Sequence, residues 1–371
     1  MQINRFSQLL VLVVIAILPF SCSVSQNVSS RKVVPSSSSK VVPTSKITDT
    51  PTSIIGFNHI GLSVQDLDRV LSFYMNATGF DLVKRERVRQ SKIVEALFGV
   101  QDLSYETATL KGPNMLLELT QYSNQQNATI SKMPPQGPGM THTCYQSPDW
   151  DSGYEKFKAI GADVLSRGDQ PIDLGGYGVT YAYAYDPEGN MFELEQVAQH
   201  RIPIDSLWVE DNPMWMTQVA LISPDLDKLD DYYEMVLAIP PAREGKYENH
   251  PRLNDVIDVD SSIIHATWFP MDGLGKMLEL MQYDNPMTAK PTSKKHPTDL
   301  GYSFSIEVGD IKQEYTRLKK LGVQFLSEPH ILGEFWMVFA NDIDGNVFSL
   351  RQATSLNSNY ATKNVLKLDR Q

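Results

Sequence analysis

The amino-acid sequence predicts an α+β fold built from four βαβββ modules, and internal repetition is the main observation behind this prediction. Three segments of the first half recur in the second half, about 160 residues later. The paired segments are 59–74 with 218–233, 117–122 with 278–283, and 186–196 with 342–352. Two halves, residues 54–200 and 210–353, are therefore expected to share one fold and to form two tandem domains.

The first half begins with the pattern of one module. A strand is expected over residues 58–64, and the helix after it carries Leu67, Leu71 and Tyr74 on one face. Further strands follow and end in the apolar run 115–119. This order of one strand, one helix and three strands defines module 1.

The same order then restarts within the first half, which defines module 2. A strand is expected over 140–146, and the helix after it is expected to carry Trp150, Tyr154 and Phe157 on one face. Two final strands, over 178–185 and 190–195, flank a turn that contains proline and glycine.

The second half repeats both modules. The helix of module 4 is expected to place Ile311, Tyr315 and Leu318 on one face, with Gly322 after its end. Gly161 holds the same position after the helix of module 2, where a left-handed backbone favours glycine. Periodicity and turn chemistry thus agree on four modules.

The N-terminus has the composition of an export signal. Residues 1–23 combine Arg5, an apolar run too short to span a bilayer comfortably, and small residues, and they predict a signal or lipoprotein peptide. Cys22 can be lipidated, which predicts a cell-envelope lipoprotein; cleavage after Ser23, giving a secreted or periplasmic protein, is the alternative. Residues 24–53 predict a flexible Ser/Pro-rich tether, and 354–371 a polar tail.

Charge and cysteine content exclude some classes of partner. The formal net charge of the 371 residues is −11, and no basic cluster is dense enough to follow a phosphate backbone, so nucleic acid is not expected as a partner. A membrane is expected only through the N-terminal lipid anchor. If Cys22 is lipidated or removed, Cys144 remains as the single thiol, and an intramolecular disulfide is impossible. The sequence leaves the oligomeric state open.

Four side chains form a candidate metal site. His59 lies in the first strand of module 1 and Glu118 in its last strand, while His142 and Glu193 hold the same places in module 2. Two imidazoles and two carboxylates without a thiolate suit one borderline-to-hard divalent ion, with about two octahedral positions open for substrate. Zn, Ni, Co, Mn and Fe(II) all fit this description.

The segments 57–64, 117–119, 140–143 and 186–194 resemble the vicinal oxygen chelate superfamily. That superfamily includes glyoxalase I, methylmalonyl-CoA epimerase, fosfomycin-resistance transferases and extradiol dioxygenases. The resemblance covers nearly all of residues 54–352. It implies paired modules that close into cupped mixed sheets around one divalent ion.

The way in which the modules pair decides which residues meet. Pairing of module 1 with module 2 is expected, because it unites His59, Glu118, His142 and Glu193. Pairing of module 2 with module 3 is the alternative, and it joins the last two of these to Gln218 and Glu279, which resembles a glutamine-containing variant of glyoxalase I. In the first case His59→Ala should abolish metal binding and Gln218→Ala should not.

Further equivalents in the second half are Ser303 and Ser349, which stand at the positions of His142 and Glu193. A serine hydroxyl is a poor metal ligand, so a site made within the second half is expected to be degenerate. Pairing of module 1 with module 4 would leave only His59 and Glu118 as ligands.

The resemblance to glyoxalase I implies proton transfer, with lyase or isomerase chemistry on a small oxygen-chelating substrate. Glu193 is then the expected base and Glu118 its partner. An extradiol dioxygenase with His59, His142 and Glu193 on Fe(II) is one alternative. A metal-free protein that sequesters a ligand is another. Export makes glutathione and coenzyme A thioesters doubtful substrates, because both are mainly intracellular.

Two further features of module 2 have structural and functional interpretations. Tyr181, Tyr183 and Tyr185 alternate along one strand and point to one face, which is typical of core packing, with a pocket wall as the alternative. Cys144 faces the same side as His142, and a small buried filler is expected there rather than a nucleophile.

Overall fold

A computed structural model describes residues 51–125, 128–202, 213–271 and 275–365. The expected signal or lipoprotein peptide, including Cys22, and residues 24–50 of the expected tether lie outside the described residues. Among the residues that are described, no helix has the length and apolar character needed to cross a membrane.

The chain forms its helices and strands in four successive modules. Module 1 contains β1 (Ile54–Ser63), α1 (Leu67–Thr78), β2 (Asp81–Val88), α2 (Lys92–Phe98), β3 (Tyr105–Lys111) and β4 (Leu116–Tyr122). Module 2 contains β5 (Gly139–Pro148), α3 (Gly153–Ala159), β6 (Asp163–Val164), β7 (Ile172–Asp173), β8 (Val179–Tyr185) and β9 (Met191–Val197), followed by a 3₁₀ turn (Gln199–Arg201).

The second half repeats this order. Module 3 contains β10 (Trp215–Ile222), α4 (Leu226–Leu237), β11 (Arg243–Glu248), α5 (Pro251–Ile257), β12 (Ile263–Pro270) and β13 (Met277–Asn285). Module 4 contains β14 (Gly301–Val308), α6 (Ile311–Lys320), β15 (Gln324–Phe325), β16 (His330–Leu332), β17 (Phe335–Asn341) and β18 (Val347–Ala353), followed by α7 (Thr362–Val365). The predicted α+β class and the four repeated modules are confirmed, and modules 1 and 3 each carry one additional helix, α2 or α5.

Capping side chains set where the long helices begin. Asp66 accepts a hydrogen bond from the Arg69 amide at the start of α1, and Asp225 does the same for Lys228 in α4. Gly79 ends α1 in the left-handed conformation with φ 69°. The repeated sequences therefore repeat their helix boundaries as well.

The helix of module 2 begins later than its aromatic pattern predicts. Ser152 is its N-cap and accepts from the Glu155 amide, so α3 begins at Gly153. Tyr154 and Phe157 are buried as predicted, whereas Trp150 lies before the helix and is 61% exposed. The prediction for Trp150 is wrong, because the cap directs the chain into the helix only after that residue.

The strands form two mixed sheets, and each sheet takes one module from either half. The first sheet has the order β15-β17-β18-β14-β1-β4-β3-β2 and combines modules 1 and 4. The second sheet has the order β11-β12-β13-β10-β5-β9-β8-β6 and combines modules 2 and 3. Antiparallel pairs β1–β14 and β10–β5 join the modules. The expected pairing of modules 1 and 2, with separately closed domains over 54–200 and 210–353, is therefore wrong.

Helices connect the two sheets into one core. The ring of Phe73 in α1 lies 5.7 Å from that of Phe157 in α3, so modules 1 and 2 meet through their helices. Arg317 of α6 donates to the carbonyl oxygens of Met235 and Val236 near the end of α4, which joins modules 4 and 3. The largest buried apolar cluster contains residues of all four modules. Each half is thus held together by helix contacts while its strands belong to different sheets.

The described part extends slightly beyond the expected boundaries. The Ser53 amide, at the end of the expected tether, donates to Glu314 of α6 at 2.6 Å. Thr362, in the expected polar tail, donates from both its amide and its hydroxyl to Glu307 at 2.6 Å. Residues 51–53 therefore contact the second half of the fold, whereas residues 358–365 contact both halves, since the Tyr360 hydroxyl also donates to the Val83 carbonyl at 3.1 Å.

Candidate functional site

The four central strands of the second sheet bring together one set of ligand-type side chains. His142 lies on β5, Glu193 on β9, Gln218 on β10 and Glu279 on β13. These strands are neighbours in the order β13-β10-β5-β9. All four side chains are at most 9% exposed, and they come from modules 2 and 3.

The polar atoms of these four side chains lie within about 4 Å of a neighbour in the set. His142 Nε2 lies 3.7 Å from Glu279 Oε2 and 4.0 Å from Glu193 Oε2. Gln218 Nε2 donates to Glu193 Oε2 at 2.6 Å. The imidazole nitrogen, both carboxylates and the amide therefore face each other across one small space, which we call the second-sheet pocket.

The His142 ring is oriented by its neighbours. Its Nδ1 lies 2.9 Å from Thr141 Oγ1, and its Nε2 lies 3.3 Å from the Tyr183 hydroxyl. With the Nδ1 hydrogen directed at Thr141, the Nε2 lone pair points toward the carboxylates. This orientation is the one that a metal ligand requires.

Burial and neighbouring carboxylates raise the pKa of two glutamates in this pocket, Glu193 and Glu195. Burial, followed by the charges of Glu195 and Glu279, raises the pKa of Glu193 well above its usual value. Burial is also the main reason that the pKa of Glu195 rises to about 7. Within the described residues, Glu279 Oε2 is buried without a hydrogen-bond partner. A divalent cation would favour the charged forms of these carboxylates and would satisfy that oxygen.

Glu195 is a residue of this pocket that sequence reasoning missed. It follows Glu193 by two positions on β9, so both side chains lie on one face of the strand. Ligand atoms of Glu193, Glu195 and Cys144 lie within 4.8 Å of one another. The spacing of two glutamates around Leu194 was the available signal.

Cys144 has the environment of a packing residue. It is fully buried, and burial, followed by the charge of Glu195, raises the pKa of its thiol well above the usual value. A thiol in this state is a poor nucleophile. The expectation of a small filler agrees with this environment.

Aromatic and cationic side chains form the wall of the second-sheet pocket. Tyr181 and Tyr183 of β8 line the cavity, whose volume is about 130 Å³, together with Trp268, Tyr247 and Arg243 from module 3. The alternative interpretation of the tyrosine stripe as a pocket wall therefore holds for Tyr181 and Tyr183. Tyr185 instead donates to the Met133 carbonyl at 2.9 Å.

The first sheet has a corresponding pocket with different chemistry, which we call the first-sheet pocket. His59 Nε2 lies 3.7 Å from Glu118 Oε1. Arg351 of β18 donates to both carboxylate oxygens of Glu118 at 3.3 Å. Ser303 and Ser349 line the same cavity. A guanidinium thus occupies the space beside Glu118.

Arg351 controls the electrostatics of the first-sheet pocket. Burial and, after it, the charge of Arg351 lower the pKa of His59 to about 3. Burial alone would raise the pKa of Glu118, but Arg351 and His59 outweigh it, and the pKa falls to about 2. The pocket therefore holds a neutral imidazole and a carboxylate that is already neutralised by a protein cation.

The expected four-ligand set is not assembled. His59 and Glu118 lie in the first sheet, while His142 and Glu193 lie in the second, and the two cavities share no lining residue. The expected pairing of Glu118 with the base Glu193 is wrong for the same reason. The triad of His59, His142 and Glu193 that an extradiol dioxygenase would need is also not assembled. The alternative set, with Gln218 and Glu279, is the one that the fold brings together.

Comparison with known proteins agrees with this fold. Residues 56–194 match the sequence model of the Glyoxalase/Bleomycin resistance protein/Dioxygenase superfamily, and this segment belongs to that superfamily. The resemblance inferred from the sequence motifs is therefore confirmed.

Two relatives are enzymes. Lactoylglutathione lyase GLX1 of Arabidopsis thaliana is 28% identical over 183 residues, which are 49% of this chain and 54% of the relative. An ethylmalonyl-CoA/methylmalonyl-CoA epimerase of Cereibacter sphaeroides is 28% identical over 142 residues, which are 38% of this chain and 96% of the relative. The chain spans about half the length of the lactoylglutathione lyases that it matches.

A solved structure extends the likeness over most of the chain. Glyoxalase I from Zea mays superimposes with a TM-score of 0.52 at 22% identity, covering 85% of this chain and 96% of that protein. At this level of identity, the likeness concerns the fold.

Proposed function

We propose that this protein is a metal-dependent enzyme that moves a proton on a small oxygen-chelating substrate, as a lyase or isomerase, in the second-sheet pocket. The observation that carries the proposal is the convergence of His142, Glu193, Gln218 and Glu279, with one carboxylate oxygen of Glu279 buried and unpartnered among the described residues. The enzymatic relatives support this class of reaction.

The side chains present fit a divalent ion. His142 offers Nε2, Glu193 and Glu279 offer carboxylate oxygens, and the amide of Gln218 can rotate so that its oxygen faces the same space. These four side chains would hold the ion. One nitrogen and three oxygens suit a borderline-to-hard cation such as Zn, Ni, Co, Mn or Fe(II). A bound divalent ion supplies Lewis-acid polarisation of substrate oxygens, which acidifies the neighbouring C–H bond.

The protein's own residues then handle the proton. Glu193 is the proposed base, since its Oε2 lies 4.0 Å from His142 Nε2 and accepts from the Gln218 amide at 2.6 Å, so that its carboxylate faces the space that a substrate would enter. Glu279, whose Oε2 lies 3.7 Å from His142 Nε2, replaces Glu118 as its proposed partner. The Tyr183 hydroxyl, 3.3 Å from His142 Nε2, can donate to a substrate oxygen in the same space. Burial of all these groups excludes water from the transferred proton.

The reaction can be tested by following exchange of a substrate C–H hydrogen in D₂O by NMR. The substrates are lactoylglutathione, methylmalonyl-CoA and a panel of small 2-hydroxy and 2-keto acids, each added to metal-loaded protein. We expect exchange with at least one compound, and we expect Glu193→Gln to lower its rate by at least about 100-fold.

Glu118→Gln is the matched control, because it makes the same change at a last-strand glutamate of the other pocket. It should leave the exchange rate unchanged. Equal loss of exchange in both variants, or full exchange in Glu193→Gln, would contradict the proposed assignment. Oxygen consumption with catechols, in place of exchange, would instead favour ring-cleavage chemistry.

A metal-free role in ligand sequestration has less support from the geometry. Such a role does not require four ligand-type side chains to converge, and it gives no reason for the unpartnered oxygen of Glu279. Metal analysis of the purified protein distinguishes the two functions. A metal-free protein that binds small ligands tightly would favour sequestration.

We also propose that the protein is exported and held at the cell envelope by a lipid on Cys22. The support comes from the sequence of residues 1–23. Radiolabelled palmitate should label the wild type and should not label Cys22→Ser. Equal labelling of both, or of neither, would contradict lipidation, and release of a shortened soluble protein would support cleavage after Ser23.

A further inference from the structure

Arg243 stands at the mouth of the second-sheet pocket, outside the proposed catalytic cluster. It is the first residue of β11, the edge strand of the second sheet, and its side chain lines the cavity with Glu193, Gln218 and Glu279. Its guanidinium carbon lies 3.9 Å from the ring centre of Trp268. Stacking on an indole ring restricts an arginine side chain to a defined position.

The guanidinium is positioned without being neutralised by a close partner. Within the described residues, Arg243 makes no hydrogen bond or ion pair with a carboxylate, and its guanidinium stacks on Trp268. Its charge nevertheless reaches the pocket, because it lowers the pKa values of Glu193 and Glu195 as one of the smaller effects on each. An exposed, fixed cation beside a cavity is suited to hold an anion.

The first-sheet pocket provides an internal reference for this position. Lys84 of β2 occupies the place that Arg243 has in the second sheet. In the first sheet Lys84 pairs with Thr109, which pairs with Glu118. In the second sheet Arg243 pairs with Trp268, which pairs with Glu279. The Lys84 ammonium is bound to Glu86 at 2.7 Å. The residue in the place of Glu86 is Gly245, which has no side chain to neutralise Arg243. The guanidinium of Arg243 is therefore available to bind a ligand, whereas the ammonium of Lys84 is bound to Glu86.

Trp268 adds an independent sign that a ligand contacts this side of the pocket. Its side chain lines the cavity and is 5% exposed, and its indole Nε1 is buried without a hydrogen-bond partner among the described residues. A buried indole N–H normally has an acceptor. An anionic oxygen beside Arg243 would be such an acceptor.

The geometry also limits the length of the ligand. Arg243, Trp268 and Glu279 lie side by side across β11, β12 and β13, so the first and last are two strand spacings, or about 10 Å, apart at the backbone. The cavity of about 130 Å³ is close to the roughly 150 Å³ that accommodates a benzene molecule. A ligand of a few carbon atoms can reach from the carboxylate cluster to the guanidinium.

We propose that Arg243, held on Trp268, binds an anionic group at the far end of the substrate and so makes this pocket selective for short, acid-tailed molecules. Arg243 is thereby a specificity residue, and the substrate class is a small chelating compound that carries a carboxylate or phosphate tail. This inference rests on the proposed function, since the other end of the ligand lies at the proposed metal site.

The test uses three ligands that share a hydroxamate head and differ in the tail. Butanohydroxamate is neutral, succinic monohydroxamate carries a carboxylate, and 3-phosphonopropanohydroxamate carries a phosphonate. Calorimetric titration of Zn²⁺-loaded wild-type protein should show at least about tenfold tighter binding of one acidic ligand than of the neutral ligand. The tighter of the two acidic ligands identifies the tail as carboxylate-like or phosphate-like.

Arg243→Gln should remove this preference while leaving binding of the neutral ligand unchanged. Lys84→Gln, at the matched position of the first-sheet pocket, should keep the preference in full. Equal binding of the three ligands to the wild type overturns the proposal, and so does a preference that survives in Arg243→Gln. Titration of Zn²⁺ into the wild type is done separately, and a failure to bind Zn²⁺ would count against the proposed function itself.

Discussion

The two pockets are built from equivalent modules of the repeat, and their chemistry differs because of a small number of residue positions. Each pocket has a glutamate at an equivalent position of the repeat, Glu118 on β4 of module 1 and Glu279 on β13 of module 3. The difference is largest one strand away from the module junction, where Glu195 on β9 corresponds to Arg351 on β18 in the repeat alignment. One position of the repeat thus carries an acidic residue in one pocket and a basic residue in the other.

The exchange of Glu195 for Arg351 between the two pockets has a direct structural consequence. Arg351 donates to both oxygens of Glu118, so the first-sheet pocket contains its own cation. In the second-sheet pocket burial and neighbouring carboxylates raise the pKa values of Glu193 and Glu195, and a cation from solution would stabilise the charged forms of these two groups. Other replacements point the same way, since Ser303 and Ser349 stand in the places of His142 and Glu193. We infer from this comparison that an internal arginine can close a duplicated site to metal while the fold is kept.

The strongest test of this contrast changes the equivalent glutamates. Glu279→Ala should weaken binding of a divalent ion by at least about 100-fold, because it removes a carboxylate that faces the ion directly. Glu118→Ala should leave metal affinity unchanged and should instead lower the free energy of unfolding by roughly 1–3 kcal/mol, because Arg351 loses its partner. Metal titration and urea unfolding of both variants measure the two effects. Loss of metal binding in Glu118→Ala would remove the distinction between the pockets.

A smaller effect concerns pH and the first-sheet pocket alone. His59 has a pKa of about 3 in the folded protein, against 6.5 for an ordinary histidine. Between these two pH values the imidazole is therefore protonated in the unfolded chain and neutral in the folded chain. The stabilisation is complete above pH 6.5 and decreases as the pH falls toward 3. Glu118 has a pKa of about 2, against 4.5 for an ordinary glutamate, so it changes the pH dependence of the free energy of unfolding only below pH 4.5.

Between pH 6.5 and 4.5 the wild type should therefore lose stability more steeply than His59→Gln, by up to about 1.4 kcal/mol per pH unit. Glutamine is the residue that the second-sheet pocket carries at the matching position, Gln218. Urea unfolding at several pH values measures the slope, and Ser303→Ala serves as a control that adds no titrating group. Identical slopes for His59→Gln and the wild type would show that burial does not suppress protonation of His59.

Local structure was largely predictable from the sequence. The face of α1 with Leu67, Leu71 and Tyr74 is buried as the spacing predicts, since helical periodicity depends only on neighbouring residues. The exposed Trp150 shows the limit of that reasoning. The N-cap Ser152 sets the start of α3 at Gly153, after Trp150. Local capping then outweighed apolar spacing.

The pairing of modules was not predictable in the same way. The first strands β1, β5, β10 and β14 have equivalent patterns, so sequence repetition alone does not choose their partners. Ligand counting favoured modules 1 and 2, but strand pairing is decided by long-range contacts such as Asn58 with Glu307 and the edge-to-face rings of Phe57 and Phe304, 5.6 Å apart. The individual ligand positions were identified correctly as strand residues, and their grouping was wrong.

The location of the bound ion is the most direct test of the central claim. Crystals of the full chain loaded with Mn²⁺ can be examined by anomalous diffraction, which identifies the ion independently of the protein density. We expect one ion per chain, between His142 Nε2 and the carboxylates of Glu193 and Glu279, and none beside Arg351. An ion bound at His59 and Glu118, or no ordered ion in the second-sheet pocket, would contradict this account.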